Sequence, residues 1–230
     1  MTKVFKIIKY GTAEYMGETE NGKRNGLGKM MLADGTCYVG MWQNDLMHGQ
    51  GRLDLPNGGY YEGEFKSGKY DGDGILYMPE KGIYSGTFSI GKKHGAGKFR
   101  YIDGSVYEGY FFDNKFNGQG MMRFENGDVY FGEWNDDMRD GKGEYDYASG
   151  AKYIGEWLAD QRHGFGTFYN IEGQIVFEGL WQYDAYVPND TYSPEDEQQM
   201  PSASDPNADD DSEEDISDDD NDDEDSEDDE

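Results

Sequence analysis

The sequence is poor in several things at once. It has a single cysteine, Cys37, so no disulfide can form within the chain, and that thiol reads as a small, buried or half-buried residue. Its 20 Lys and Arg stand against 49 Asp and Glu, a formal charge of −29, and no Lys or Arg follows Arg162. A binder of nucleic acid needs a basic footprint to displace counterions from phosphates, so nucleic acid is excluded as a partner. No apolar run approaches the ~18 residues of a membrane-spanning helix, and the stretch from Val4 to Tyr10 is too short for a signal peptide. These gaps predict a location in the cytoplasm, cilium or nucleus.

Glycine and aromatic residues are what the chain has in excess: 34 Gly, 19 Tyr and 12 Phe. Glycine at this level without a collagen period means either disorder or many tight turns. Rings are scarce in disordered segments, so most of the chain should be folded. The acidic charge separates the two regimes. Of the 49 acidic residues, 22 lie between Pro188 and Glu230, which leaves 27 against 20 basic ones, net −7, over residues 1–187. The tail, 188–230, is predicted to be disordered, and Ser212, Ser217 and Ser226, each followed by acids, suit acid-directed kinases.

The folded part is a repeat. Tyr15, Tyr38, Tyr61, Tyr84, Tyr107, Tyr130 and Tyr153 follow one another every 23 residues. Two residues after each stands a glycine: Gly17, Gly40, Gly63, Gly86, Gly109, Gly132 and Gly155. Two further on come Trp42, Phe65, Phe88, Phe111, Trp134 and Trp157, with Thr19 in the first copy and a partial copy ending at Trp181. A Gly-x-Gly pair closes each unit, from Gly26 and Gly28 to Gly164 and Gly166. Successive side chains of a strand point to opposite faces, so ring, glycine and ring share one face, and the glycine leaves room for rings to lie across the backbone. The residues between them, such as Glu62, Glu108 and Glu156, take the wet face. Asp34-Gly35, Asn57-Gly58, Asp103-Gly104 and Asn126-Gly127 are strong hairpin signals because these residues tolerate positive φ. Each unit is therefore predicted to be one β-hairpin. Lone hairpins are marginal, so the units should stack into one continuous structure.

The expected architecture is all-β: an elongated, single-layer, twisted antiparallel sheet of tandem hairpins. Residues 1–14 supply an N-terminal capping strand, 15–187 the array of seven units and a terminal half unit, and 188–230 the tail. No catalytic, cofactor or metal site is expected. His48, His94 and His163 occupy one repeat position and fall in a row too widely spaced to share an ion. The Gly-x-Gly pairs lack the third glycine or Gly-Lys-Ser/Thr of a phosphate loop.

The pattern resembles the MORN-repeat family, whose Tyr-x-Gly-x-Trp/Phe followed by His-Gly-x-Gly is matched by residues 38–51 and 153–166. The resemblance implies a non-enzymatic scaffold. Array plus acidic tract is similar to MORN proteins of the axonemal radial spoke head, which implies axonemal or cytoskeletal protein partners. Two alternatives stay open. One is a membrane or phosphoinositide adaptor using a basic row from Lys23 and Arg24 to Arg162. The other is a nuclear factor holding basic proteins through the tail. Acids along the same turn edge (Asp45, Asp71, Asp136, Asp137 and Asp160) weigh against the lipid reading.

Overall fold

The computed structural model describes residues 4–188. Every strand pairs antiparallel with its neighbours in sequence, so the chain runs back and forth as one open sheet. Seventeen strands are present among the described residues. β1 (Val4–Tyr10) forms one edge and pairs with β2 (Ala13–Glu20), which carries the first tyrosine. The paired strands of the seven units follow as β2–β3 through β14 (Lys152–Leu158) and β15 (Gln161–Tyr169). β16 (Ile175–Gln182) and the short β17 (Ala185–Tyr186) close the far edge. Ser212, Ser217, Ser226 and the acidic tract lie outside the described residues.

The register brings the glycines together. Gly17, Gly28, Gly40 and Gly51 oppose one another on consecutive strands, and the series continues without a break to Gly166 and Gly179. A spine of bare backbone thus crosses the sheet. The repeat tyrosines pave it, each 0–3 % exposed. A β-carbon on Gly97 would sit 2.5 Å from Tyr84 Cε2 and 2.7 Å from its Cζ. The absence of a side chain is what lets each ring lie flat.

Each tyrosine also needs its hydroxyl. In every unit the ladder shifts after the first glycine: one residue (Glu18, Met41, Glu64, Thr87, Tyr110, Glu133 or Glu156) faces three on the returning strand, which bulges at a glycine of positive φ such as Gly26 or Gly49. A bulge locally disrupts the ladder, and the carbonyl of the single residue opposite it is met by the tyrosine. The tyrosine three residues earlier donates its O–H to that carbonyl, at 2.6–3.1 Å in all seven units. A phenylalanine would fill the same space and leave the carbonyl unpaired.

The core is a chain of rings on this one face. Each unit's tyrosine meets the Trp or Phe of its own unit, except in the first unit, and that of the next edge-to-face. Centroids lie 4.9–5.6 Å apart and planes cross at 80–90°. Edge-to-face pairing aligns positive ring edges with negative faces, about 1 kcal/mol per pair beyond burial. Trp42, Trp134, Trp157 and Trp181 add an indole N–H donated to the spine carbonyls of Gly28, Gly120, Gly143 and Gly166. Thr19, in place of the first unit's aromatic ring, donates its hydroxyl to the Val4 carbonyl at 3.1 Å and so ties β1 to the array.

Two kinds of turn set the two long edges. The Asp-Gly and Asn-Gly pairs close loops of four or five residues between units, with Gly35, Gly58, Gly104 and Gly127 at φ 82–97°. Inside each unit the strands join through two residues that both have positive φ, as in Asn44 and Asp45 or Asp136 and Asp137. This is the type I′ geometry, which matches the twist of the flanking strands.

Candidate binding surfaces

The repeat-defining residues form the core on the ring face: Tyr15, Tyr61, Tyr84, Tyr107, Tyr130 and Tyr153 are fully buried, and Tyr38, Trp42, Phe65, Phe88, Phe111, Trp134, Trp157 and Trp181 are buried. Burial raises the phenol pKa of Tyr38 to about 12, and pushes those of Tyr61, Tyr84, Tyr107, Tyr130 and Tyr153 further up. These rings hold the sheet together and are closed to a partner. Surfaces for binding must come from positions that the repeat leaves variable.

The position nine residues after the tyrosine is the most informative of these, because it covers the ring of its own unit. Where it is Arg24, Arg139 or Arg162, the guanidinium stands 4.3–4.4 Å from the centroid of Trp42, Trp157 or Trp181 in the next unit. The same arginine grips the next type I′ turn. Arg139 donates from its backbone N and Nε to Asp160 Oδ1, both at 3.0 Å, and from Nη2 to the Asp160 carbonyl at 2.7 Å. Asp160 N–H answers to the Arg139 carbonyl at 2.9 Å. Arg24 with Asp45 and Arg162 with Asp184 repeat this clasp. In the fourth unit the position is Lys93, 5.7 Å from the Tyr84 centroid, and elsewhere it is apolar: Tyr70 stacks on Tyr61 at 3.8 Å and Phe116 on Tyr107 at 3.6 Å.

Five cations of the basic row at this edge are paired. Arg24, Lys92, Lys115, Arg139 and Arg162 each hold an aspartate of the next unit's turn, namely Asp45, Asp113, Asp136, Asp160 and Asp184. An anionic surface would have to compete with those carboxylates for every one of these cations.

One stretch of the ring face stays open. In the second unit the variable position is Met47, and the turn beyond it is Ser67-Gly68, with no carboxylate to clasp. A trough of ≈ 580 Å³ results across the first three units. Met30, Leu32, Leu46, Met47 and Leu53 floor it with Tyr38 and Trp42, and Arg24, Asp45 and Lys69 stand at its rim. This surface escaped sequence reasoning because it comes from bulk missing at one position of one unit.

Residues 15–37, 38–60, 61–81, 84–106, 107–129, 130–152 and 153–173 each match the MORN repeat. The chain belongs to the MORN-repeat family. No curated protein matches it. Among solved structures, it is similar to the TCP domain of Drosophila melanogaster SAS-4 (dCPAP), determined in complex with a proline-rich motif of Ana2 (dSTIL). That likeness has 14% identity and a TM-score of 0.43, covering 77% of this chain and 90% of that one. The wild-type TCP10 domain of Danio rerio CPAP, in complex with a STIL peptide, matches at 14% identity and a TM-score of 0.31, over 78% and 100%.

The histidines of the MORN units stay apart. His94 lies 5.2 Å from the Phe112 ring and His163 4.9 Å from Tyr183, so each packs on the following unit. His163 is buried with neither ring nitrogen hydrogen-bonded. Among the described residues no group of three His, Cys, Asp or Glu is placed to hold a metal ion.

Proposed function

We propose that this MORN array is a non-catalytic scaffold that binds another protein through the trough over its first three units. The trough itself carries the reading: it is a broad apolar recess on the ring face, and it has a charged rim to orient a bound segment. Apolar recesses with a few polar groups at the edge are the usual form of a binding site. A sheet whose units each contact only their neighbours gives a long surface of fixed shape, which suits a structural component. The similarity of array plus acidic tract to radial spoke head MORN proteins directs the proposal to the axoneme of cilia or flagella.

The competing readings are weaker on physical grounds. A phosphoinositide adaptor needs free cations, and Arg24, Lys92, Lys115, Arg139 and Arg162 of the turn edge are engaged by aspartates. A nuclear factor would rely on residues 189–230 rather than on the array.

The test is fractionation of the tagged chain in ciliated cells, with Leu46→Asp/Ser67→Asp in parallel. Both positions line the trough, Leu46 is exposed, and aspartate tolerates the positive φ of Ser67. Retention in the detergent-extracted axoneme, lost in the double variant and kept when residues 189–230 are deleted, is the expected result. Release with the detergent-soluble membranes would support the adaptor instead. A nuclear signal abolished by the deletion would support the tail-based factor.

A further inference from the structure

The face opposite the rings carries cross-strand charged pairs in its middle units. Arg52 lies across from Glu62 and Lys98 from Glu108, each joined by a salt bridge. At the N-terminal end apolar side chains cluster instead, a second group (Phe131, Ile154 and Phe165) lying nearer the other end. Ile7 opposes Met16 between β1 and β2, and Leu27 opposes Met41 between β3 (Lys23–Met31) and β4 (Cys37–Gln43). Phe5 and Val39 share that face by strand alternation. All six side chains are at least 40 % exposed. They form one apolar patch crossed by Lys29, which stands between Met16 and Val39 in the register. Isolated exposed apolar residues need no explanation, whereas a contiguous patch marks an interaction site.

We infer that this patch is the contact between two copies of the chain, packed back to back through β1–β4. Three observations select a second copy as the occupant. The first is area. The six side chains offer about 600 Å² of accessible surface, so a two-fold pair would bury about 1,200 Å², the lower bound for a stable specific interface.

The second is charge. Residues 1–48 carry six basic and five acidic side chains, although the whole chain has a charge of −29. Lys9, Lys29, Glu14 and Glu18 lie on the patch's own face, giving equal numbers of each sign, which an isologous contact can satisfy with itself. The third is the position of the tail. At about 4.8 Å per strand, β17 lies about 75 Å along the sheet from β1. When two copies join at their N-terminal ends with the arrays running in opposite directions, their β17 ends stand farthest apart, where the acidic charge that follows repels least. Pairing at the C-terminal ends would bring them together.

The test is the mass of the full chain by light scattering after gel filtration, from low to high micromolar concentration. The expected result is a concentration-dependent rise to twice the 26.1 kDa of one chain. Ile7→Lys/Leu27→Glu should stay at the single mass with an unchanged near-ultraviolet circular dichroism spectrum, since both positions are exposed. Phe131→Glu/Phe165→Lys, on the same face near the other end, should still pair. Cys37, the single cysteine, neighbours the patch through its pairing with Met31. A bismaleimide of about 20 Å reach should therefore join two copies when the faces meet. Pairing of the free β1 edges would hold the two thiols about 35 Å apart and leave them unjoined. A single mass at every concentration overturns the inference. So does a pair that survives Ile7→Lys/Leu27→Glu, or one that Cys37 does not cross-link.

Discussion

Replacing Gly97 by alanine isolates the relation between the glycine spine and the tyrosines. Gly97 lies in β9 (Lys92–Tyr101) and lacks the positive φ that would itself strain an alanine. The three atoms nearest the new methyl all belong to Tyr84, whose ring is fully buried and whose hydroxyl is bonded to the Thr87 carbonyl at 2.9 Å. The ring must lift from the spine. Overpacking of this kind costs about 2 kcal/mol, and the hydrogen bond lost from a buried carbonyl costs about 1 kcal/mol more. The ring's edge-to-face contacts with Phe88 and Phe111 weaken as well. Together these predict a loss of about 3–4 kcal/mol by urea denaturation, a large share of the stability of an ordinary domain.

The decisive step is to repeat the substitution without the ring. Tyr84→Ala alone should cost about 4 kcal/mol through the cavity it leaves. Adding Gly97→Ala should then be harmless, or stabilising by about 0.5–1 kcal/mol, because alanine loses less backbone entropy than glycine in a strand. A Gly97→Ala penalty of equal size in both backgrounds would refute the idea that the glycine exists to accommodate the ring.

Other outcomes follow from the same geometry. Ile90 sits at φ 50° in a type I′ turn where a β-branched residue is strained and asparagine is favoured, so Ile90→Asn should raise stability by about 1 kcal/mol, read as a higher Tm. Arg139→Met removes the clasp on Asp160 and the contact with Trp157; because the pair is partly exposed, the cost should be about 1–2 kcal/mol and should shrink in high salt. Burial raises the folded-state phenol pKa of Tyr38 and Tyr101 to about 12, above the unfolded value of about 10. A raised pKa gives stability that is complete below the unfolded value and lost as pH rises through the folded one. The array should therefore hold to about pH 10 and unfold cooperatively above it, with phenolate absorbance and loss of circular dichroism moving together. Titration of the core tyrosines near 10 with the fold intact would contradict that.

The 23-residue period, the shared face of ring and glycine and the hairpin per unit were legible because the spine tolerates little variation. Any β-carbon at Gly40 or Gly51 meets Tyr38 or the neighbouring strand, so those letters recur. The bulges were not legible. They sit on the returning strand at the first glycine of each Gly-x-Gly, as Gly49 does opposite Met41, and a glycine there reads equally well as a packing residue. The type I′ turns were hidden for another reason: Ile90, Ala159 and Tyr183 adopt positive φ at positions where strand register, not local preference, decides. The variable position holding Arg24, Met47, Tyr70, Lys93, Phe116, Arg139 and Arg162 carries no constant letter, although it decides where the ring face is sealed and where it opens. Both candidate surfaces come from such departures. The trough owes its opening to Met47 and Ser67-Gly68, and the apolar patch owes its extent to missing charged pairs around Met16 and Leu27.

The central proposal, that a protein partner sits in the trough, is tested most directly by a photo-reactive benzoylphenylalanine placed at Leu46 in cells and irradiated. The proposal predicts a discrete cross-linked product from Leu46 that persists when residues 189–230 are deleted and is absent when the probe stands at Phe165. Cross-links formed from Phe165 or the tail, with none from Leu46, would contradict it.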